Sequence, residues 1–184
     1  MSKVWRWCLD LNIWYGAFLA KPKLQGHEGS ACQFLVNIAA NGKCDLAKVD
    51  LIISFGMLNR LYAAFIRHGI PEELVRFHID LIQTYATLGP SLTLGGTGIL
   101  PLNDLEDRHV LETALAGKAD LLITLNHQDF LTKEVSPILP EYHYLYQAPN
   151  HRMQIVHPFL LCSWFRQTSP FLDPENLSFP INSP

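Results

Sequence analysis

Asp10 closes the apolar run VWRWCL, Asp104 and Asp107 stand at the head of a helix-like run, and Asn126 and Asp129 follow the apolar run ADLLITL. Side chains of these types hold hard cations or activate water, and neither a strand nor a helix needs them to form. Asp10 lies among residues that should be buried. An unpaired carboxylate there is costly unless a cation, hydrogen-bond donors or a raised pKa accompanies it. The weaker alternative is that Asp10 caps the helix that follows. D-x-x-D at 104–107 and N-x-x-D at 126–129 also have the spacing of helix caps. Taken singly, each pair reads more simply as structural. Taken with Asp10, all three groups follow strands or open helices, so a parallel sheet would bring them to one edge, where open α/β sheets bind ligands. Carboxylates gathered at one spot repel each other and are tolerated mainly around a divalent cation. Oxygen ligands without accompanying Cys or His favour Mg²⁺ or Mn²⁺ over zinc.

The elements that must position these groups are legible as apolar runs. Val4 to Leu11 predicts a buried strand and NIWYGAFLA a short helix. SACQFLVNIAANG has helical spacing with Gly42 as its stop. VDLIIS at 49–54 is a continuous apolar run of strand length, and MLNRLYAAFIRHG a helix ended by Gly69. Pro71 suits the first turn of the next helix, EELVRFHIDLIQTYATLG. SLTLGGTGILPL is short, β-like and glycine-rich; its GGTG lacks the Walker lysine and reads as a turn. A helix over 105–117, the strand ADLLITL and a strand candidate RMQIVHP complete the pass. Strands that are solid apolar runs and alternate with helices point to a parallel sheet covered on two faces.

At 184 residues the chain fits one domain with a sizeable core. A net charge of −3 excludes a long-range electrostatic grip on nucleic acid, so any such contact must rest on a local patch. The four cysteines, Cys8, Cys32, Cys44 and Cys162, form no CxxC pair and give neither a zinc framework nor a disulfide scaffold. Asp10 precedes any signal-like apolar core, and no run of 18 uncharged apolar residues occurs, so the expectation is a soluble, cytoplasmic protein with no membrane contact. The expected division is a domain over 1–165 and a Pro-rich tail over 166–184, extended or disordered, in which Phe171, Leu172, Leu177 and Phe179 could dock back.

LDLN (9–12), LIISFGMLNRL (51–61), DLEDRHVLETALAGKADLLIT (104–124) and TLNHQDF (124–130) stand in the order and spacing of a PIN domain. The chain resembles in particular the small prokaryotic PIN proteins of VapC-toxin type, over roughly residues 4 to 160. The resemblance implies a three-layer α/β/α PIN-like fold with a short parallel central sheet. It also implies an acidic pocket that binds Mg²⁺ or Mn²⁺ and cuts RNA. Carried over by position, Asp10 is the first-strand acid with Asn12 beside it. Asp107 is the helix-start acid with Asp104 as an outer companion, and Asn126 and Asp129 share the last acidic position. Ser54 and Thr124 match the small hydroxyl residues that end strands. Asp10, Asp107 and Asp129 are thus the expected catalytic and metal-binding set.

The family normally carries a glutamate where this chain has Arg60. The exchange shifts local charge by about two units, and a nearby pair interacts by roughly 1–4 kcal/mol even when well screened. Arg60 would then compete with a metal by pairing with Asp10 or Asp107. Alternatively the helix is rotated, Arg60 faces solvent, and another acid such as Glu28 approaches the pocket. His109 and His127 read as surface residues flanking such a pocket, able to touch RNA phosphates. Trp5, Trp7 and Trp14 read as core, and Lys21, Lys23, Arg67 and His68 as a solvated, modestly basic face.

The leading expectation is a metal-dependent endoribonuclease of PIN type, the toxin of a toxin–antitoxin pair, inhibited by a small antitoxin protein and able to form a homodimer. The competing expectation is a catalytically degenerate PIN fold that binds protein or RNA, with Arg60 as its support. A small-molecule phosphohydrolase ranks last, because it usually needs D-x-D at the end of the first strand and the chain has DLN.

Overall fold

A computed structural model describes residues 4–19, 27–44, 47–86 and 105–166, with the backbone alone at 27–30 and 105–108. Among the described residues, the chain order is β1 (Val4–Leu9), α1 (Leu11–Phe18), α2 (His27–Asn41), β2 (Lys48–Ile52), α3 (Phe55–Arg67), α4 (Glu72–Tyr85), α5 (Leu105–Ala116) and β3 (Leu121–Ile123). A single 3₁₀ turn over His127–Phe130 follows, then β4 (Val135–Leu139), β5 (His143–Ala148), β6 (His151–Val156) and α6 (Pro158–Arg166). The strands form one sheet in the order β2-β1-β3-β6-β5-β4. The β1–β2, β1–β3 and β3–β6 pairs are parallel. β5 is antiparallel to both its neighbours, so every other strand runs one way.

Alternation along β1 shows how the sheet is covered. Cys8 Sγ lies 3.9 Å from the Val110 carbonyl of α5, whereas the Trp7 ring packs 6.0 Å from Phe165 of α6. Successive side chains on a strand point to opposite faces, so α5 and α6 lie on opposite sides. The fold is a three-layer α/β/α arrangement. α2 shares the α6 side, where Phe34 also meets the Phe165 ring. α5 approaches closely enough that a Cβ on Gly117 would fall 2.1 Å from Ile52 Cγ2, so only glycine fits. Trp5, Trp7 and Trp14 are all buried, as core residues.

Helix ends follow the expected signals, with small differences. Asp10 stops β1 short of Leu11 by capping α1. α3 buries Met57, Leu58, Leu61, Ala64 and Phe65, one helical stripe, and Gly69 leaves it at φ 75°. Pro71 caps α4 from just outside its first turn. The hairpin β4–β5 and helix α6 add to the parallel half that the apolar runs indicate. The glycine-rich segment at 91–102 lies outside the described residues, as do Lys21, Lys23, Asp104 and the tail from 167. None of the four cysteines forms a disulfide.

Candidate active site at the carboxyl edge of the strands

Just beyond the strand ends, the chain forms a row across the sheet. Cys8 pairs with Ile52 and Leu9 with Ile123, so two residues past Cys8 the register sets Asp10 between Ser54 and Thr124. The Asp10 N–H donates to the Ile123 carbonyl at 3.0 Å, continuing the ladder to the edge. Asp10 and Cys8 share parity, so the carboxylate lies on the α5 side, the side of the helix that carries Asp107.

Asp10 caps α1, as one of its two sequence readings expects, and its carboxylate is buried. Its Oδ1 accepts from Leu11 N–H at 2.6 Å. Its Oδ2 accepts from Thr124 Oγ1 at 2.7 Å and Asn12 Nδ2 at 2.6 Å. Only 4% of the residue is exposed. Burial pushes the carboxyl up to about 6. The Thr124 and Leu11 bonds oppose that rise, the negative charge of Asp129 adds to it, and Asn12 opposes it slightly. Burial wins because three donors do not replace full hydration.

The loop after β3 is tied to the same carboxylate. Asn12 Oδ1 accepts from Leu125 N–H at 3.2 Å, and Thr124 Oγ1 accepts from Asn126 N–H at 2.9 Å. Asn126 makes no side-chain cap bond to the 3₁₀ turn that follows it. Its Nδ2 donates instead to Asp129 Oδ2. The N-x-x-D spacing therefore orients an acid. Ser54 serves the helices: its Oγ accepts from Met57 N–H at 3.2 Å as the cap of α3 and from Thr113 Oγ1 at 2.9 Å. Thr113, which sequence reasoning missed, is buried and locks α5 to α3.

Arg60 is half-buried, and its Nη1 donates to the Gly56 carbonyl of its own helix at 3.4 Å. It forms no ion pair with Asp10 or Asp129, nor is it turned wholly into solvent. The Asp107 backbone lies in the first turn of α5, at the same end of the sheet; its side chain, like that of Glu28, lies outside the described set. Two further groups stand near these elements. Glu112 of α5 has both carboxylate oxygens shut from water without a hydrogen-bond partner. His127 stacks on Tyr144 with ring centroids 4.8 Å apart, and its Nδ1 is likewise buried and unpartnered. Neither signal was available from residue spacing, since both depend on which side chains cover them.

Among the described residues, no three His, Cys, Asp or Glu side chains gather closely enough to hold an ion. What does gather is the interacting pair Asp10 and Asp129, with no described cationic side chain in ion-pair reach of either. Two repelling carboxylates and amide oxygens suit a hard divalent cation in donor type. Asp10 and Asp129 would hold it, with Asp107 as the further acid that α5 carries to this end.

The layered fold sets a buried acid at the carboxyl edge of its parallel strands, the edge at which open α/β sheets bind ligands. A family model described as PIN domain matches residues 6–128, two thirds of the chain. The chain belongs to the PIN domain family. That family has a nuclease-type fold and generally uses divalent metal ions. No curated protein and no solved structure gives a significant match.

Proposed function

We infer that this protein is a metal-dependent endoribonuclease of PIN type, acting with Mg²⁺ or Mn²⁺ at Asp10, Asp107 and Asp129. The observation that carries the reading is Asp10: buried, uncompensated by any described cationic side chain, and electrostatically coupled to a second carboxylate. When bound, the cation lowers the pKa of a bound water and steadies charge on the phosphate. The chain's own residues hold the acids still. Thr124 and Asn12 fix the rotation of the Asp10 carboxylate, and Asn126 fixes Asp129. Burial of Asp10 limits competing solvent. Arg60, with its guanidinium folded back toward the start of α3, supplies positive charge for an RNA phosphate in the place of the family glutamate.

The setting we propose is a toxin whose acidic edge is covered by a small antitoxin protein, in the cytoplasm, as a domain over 1–165 with a tail over 166–184. No described helix is long and apolar enough to cross a membrane. The test is cleavage of RNA with Mn²⁺ or Mg²⁺ by wild type, Asp10→Ala and Asp107→Ala. Equal rates in all three would end the nuclease reading.

A second reading is supported by Arg60: a PIN fold that binds RNA or protein without cutting. It predicts no thermal stabilisation by divalent metal. It also predicts that Arg60→Glu creates metal binding absent from wild type.

A further inference from the structure

The register row that holds the acids does not stop at Thr124. Ile123 pairs with Val156, and Thr124 N–H donates to the Val156 carbonyl at 3.2 Å, so His157 stands abreast of Thr124. His143 pairs with Val156, and His157 N–H donates to the Tyr142 carbonyl at 2.8 Å, so Tyr142 stands abreast of His157. The row therefore reads Ser54, Asp10, Thr124, His157, Tyr142. Residues abreast in a sheet share a face, and this face is the one bearing the Asp10 carboxylate. The contacts agree: Tyr144, two residues along β5, meets His127 from the turn that carries Asp129.

At the far end of the row the side chains change from acids and hydroxyls to rings. Tyr142 lies 5.4 Å from His157 at 75°, and His157 lies 5.1 Å from Phe159. Tyr142 is 42% exposed, yet its backbone is firmly held. Its N–H donates to the Leu139 carbonyl at 3.1 Å, and Glu141 N–H donates to the Tyr144 hydroxyl at 3.0 Å. Glu141 sits at φ 70° without being glycine. Such conformations persist where the surroundings over-determine them, and they gather at functional sites. An exposed ring on a rigid turn loses little freedom on binding a flat ligand.

Resting on the nuclease reading, we propose that Tyr142, backed by His157, is a stacking subsite for an unpaired RNA base. His157 and Tyr142 stand two and three strand spacings from Asp10, roughly 10–14 Å. That is the reach of a few nucleotides, at about 3.4 Å per stacked nucleotide. A base inside a duplex has both faces already covered, so the subsite selects single-stranded RNA or loops. Stacking tolerates any base, so it sets position along the strand and leaves sequence unread.

The test is steady-state cleavage, with Mn²⁺, of short single-stranded RNAs by the full chain and by Tyr142→Ala and Tyr142→Phe. Direct binding of the same RNAs is measured on the Asp10→Asn background. Tyr142→Ala should raise KM and Kd about tenfold with kcat within twofold, while Tyr142→Phe should match wild type. One abasic position in the RNA should weaken wild type by the same factor and leave Tyr142→Ala unmoved. Cleavage by Tyr142→Ala with unchanged KM overturns the subsite alone and hands this edge to a protein partner. No cleavage by wild type together with no RNA binding by Asp10→Asn overturns the nuclease reading and the subsite together.

Discussion

On the α5 side of the sheet, Asp10 is shut from water with three donors on its oxygens and a second carboxylate nearby. On the α6 side, His143 is equally buried, its Nε2 2.9 Å from Gln154 Oε1 and its ring 5.3 Å from Trp164 at 74°. The two groups stand one strand row apart in register yet are treated oppositely. Burial pushes the Asp10 carboxyl up to about 6 and the His143 imidazole down to about 4, the Gln154 bond only partly opposing the latter. At neutral pH His143 is therefore uncharged and satisfied by a neutral neighbour, and it asks for nothing further. Asp10 at the same pH is ionised in a place that disfavours its charge. A buried polar group closed by its own partner supports the fold; one left with net charge is a candidate for a functional site.

The largest expected effect comes from moving the lesion from one group to the other. Asp10→Asn keeps the size and the cap geometry and should lower RNA cleavage by about 10²–10³-fold, the several kcal/mol of charge stabilisation that a held cation supplies. His143→Gln should leave cleavage within twofold. Near-equal losses in the two variants would erase the distinction.

Stability against pH sharpens the contrast next. For His143, the unfolded chain binds more protons between about pH 6.5 and 4, so its contribution is complete above 6.5 and is lost as pH falls through that window. For Asp10, the folded chain binds more protons between its ordinary value of 3.8 and about 6, so stability is lost as pH rises through that window. Each amounts to on the order of 3 kcal/mol, with opposite sign, so wild type without metal should be nearly flat from pH 4 to 6. Urea unfolding of Asp10→Asn should show stability rising with pH, and of His143→Gln falling. Two variants with slopes of the same sign would contradict this account.

Metal should act on one group only. Mn²⁺ at about a hundred times its Kd should stabilise wild type by about 2.7 kcal/mol at about pH 7.5 and Asp10→Asn far less; equal thermal shifts would place the ion elsewhere. Smallest is Thr124→Val, which removes one donor from Asp10 while keeping the volume. It should weaken metal binding by about tenfold, read by calorimetry, and raise the carboxyl further; an unchanged affinity would make Thr124 a bystander.

Much of this edge was legible in the residue order because strand ends and helix starts carry strong local signals. Asp10 follows a solid apolar run, and the alternation of such runs with helices placed it at the sheet edge; Ser54 and Thr124 came from the resemblance, which matched them to hydroxyl residues that end strands. The antiparallel half was harder to see. Pro137, Pro140 and Pro149 interrupt it, and proline ordinarily demotes a strand. Yet HYLYQA alternates aromatic and other residues with a period of two, a signal strong enough to have found β5. The direction of Arg60 was not legible, since it depends on how α3 is rotated, and that is set by distant ring contacts such as Tyr15 with Phe65. Glu112 and Thr113 were invisible for the same reason: only packing tells a covered side chain from a solvated one.

Pro137 has a consequence at the other margin of the molecule. Val135 pairs with Tyr146 and Pro137 with Tyr144, and Gln147 N–H bonds the Glu134 carbonyl at 2.9 Å. That alternation turns position 137 away from β5, so the missing N–H of proline falls on the outermost rim of the sheet. A foreign strand trying to add itself there would meet a gap in the middle of the donor row. Strand addition is thereby hindered at the β4 edge of the sheet.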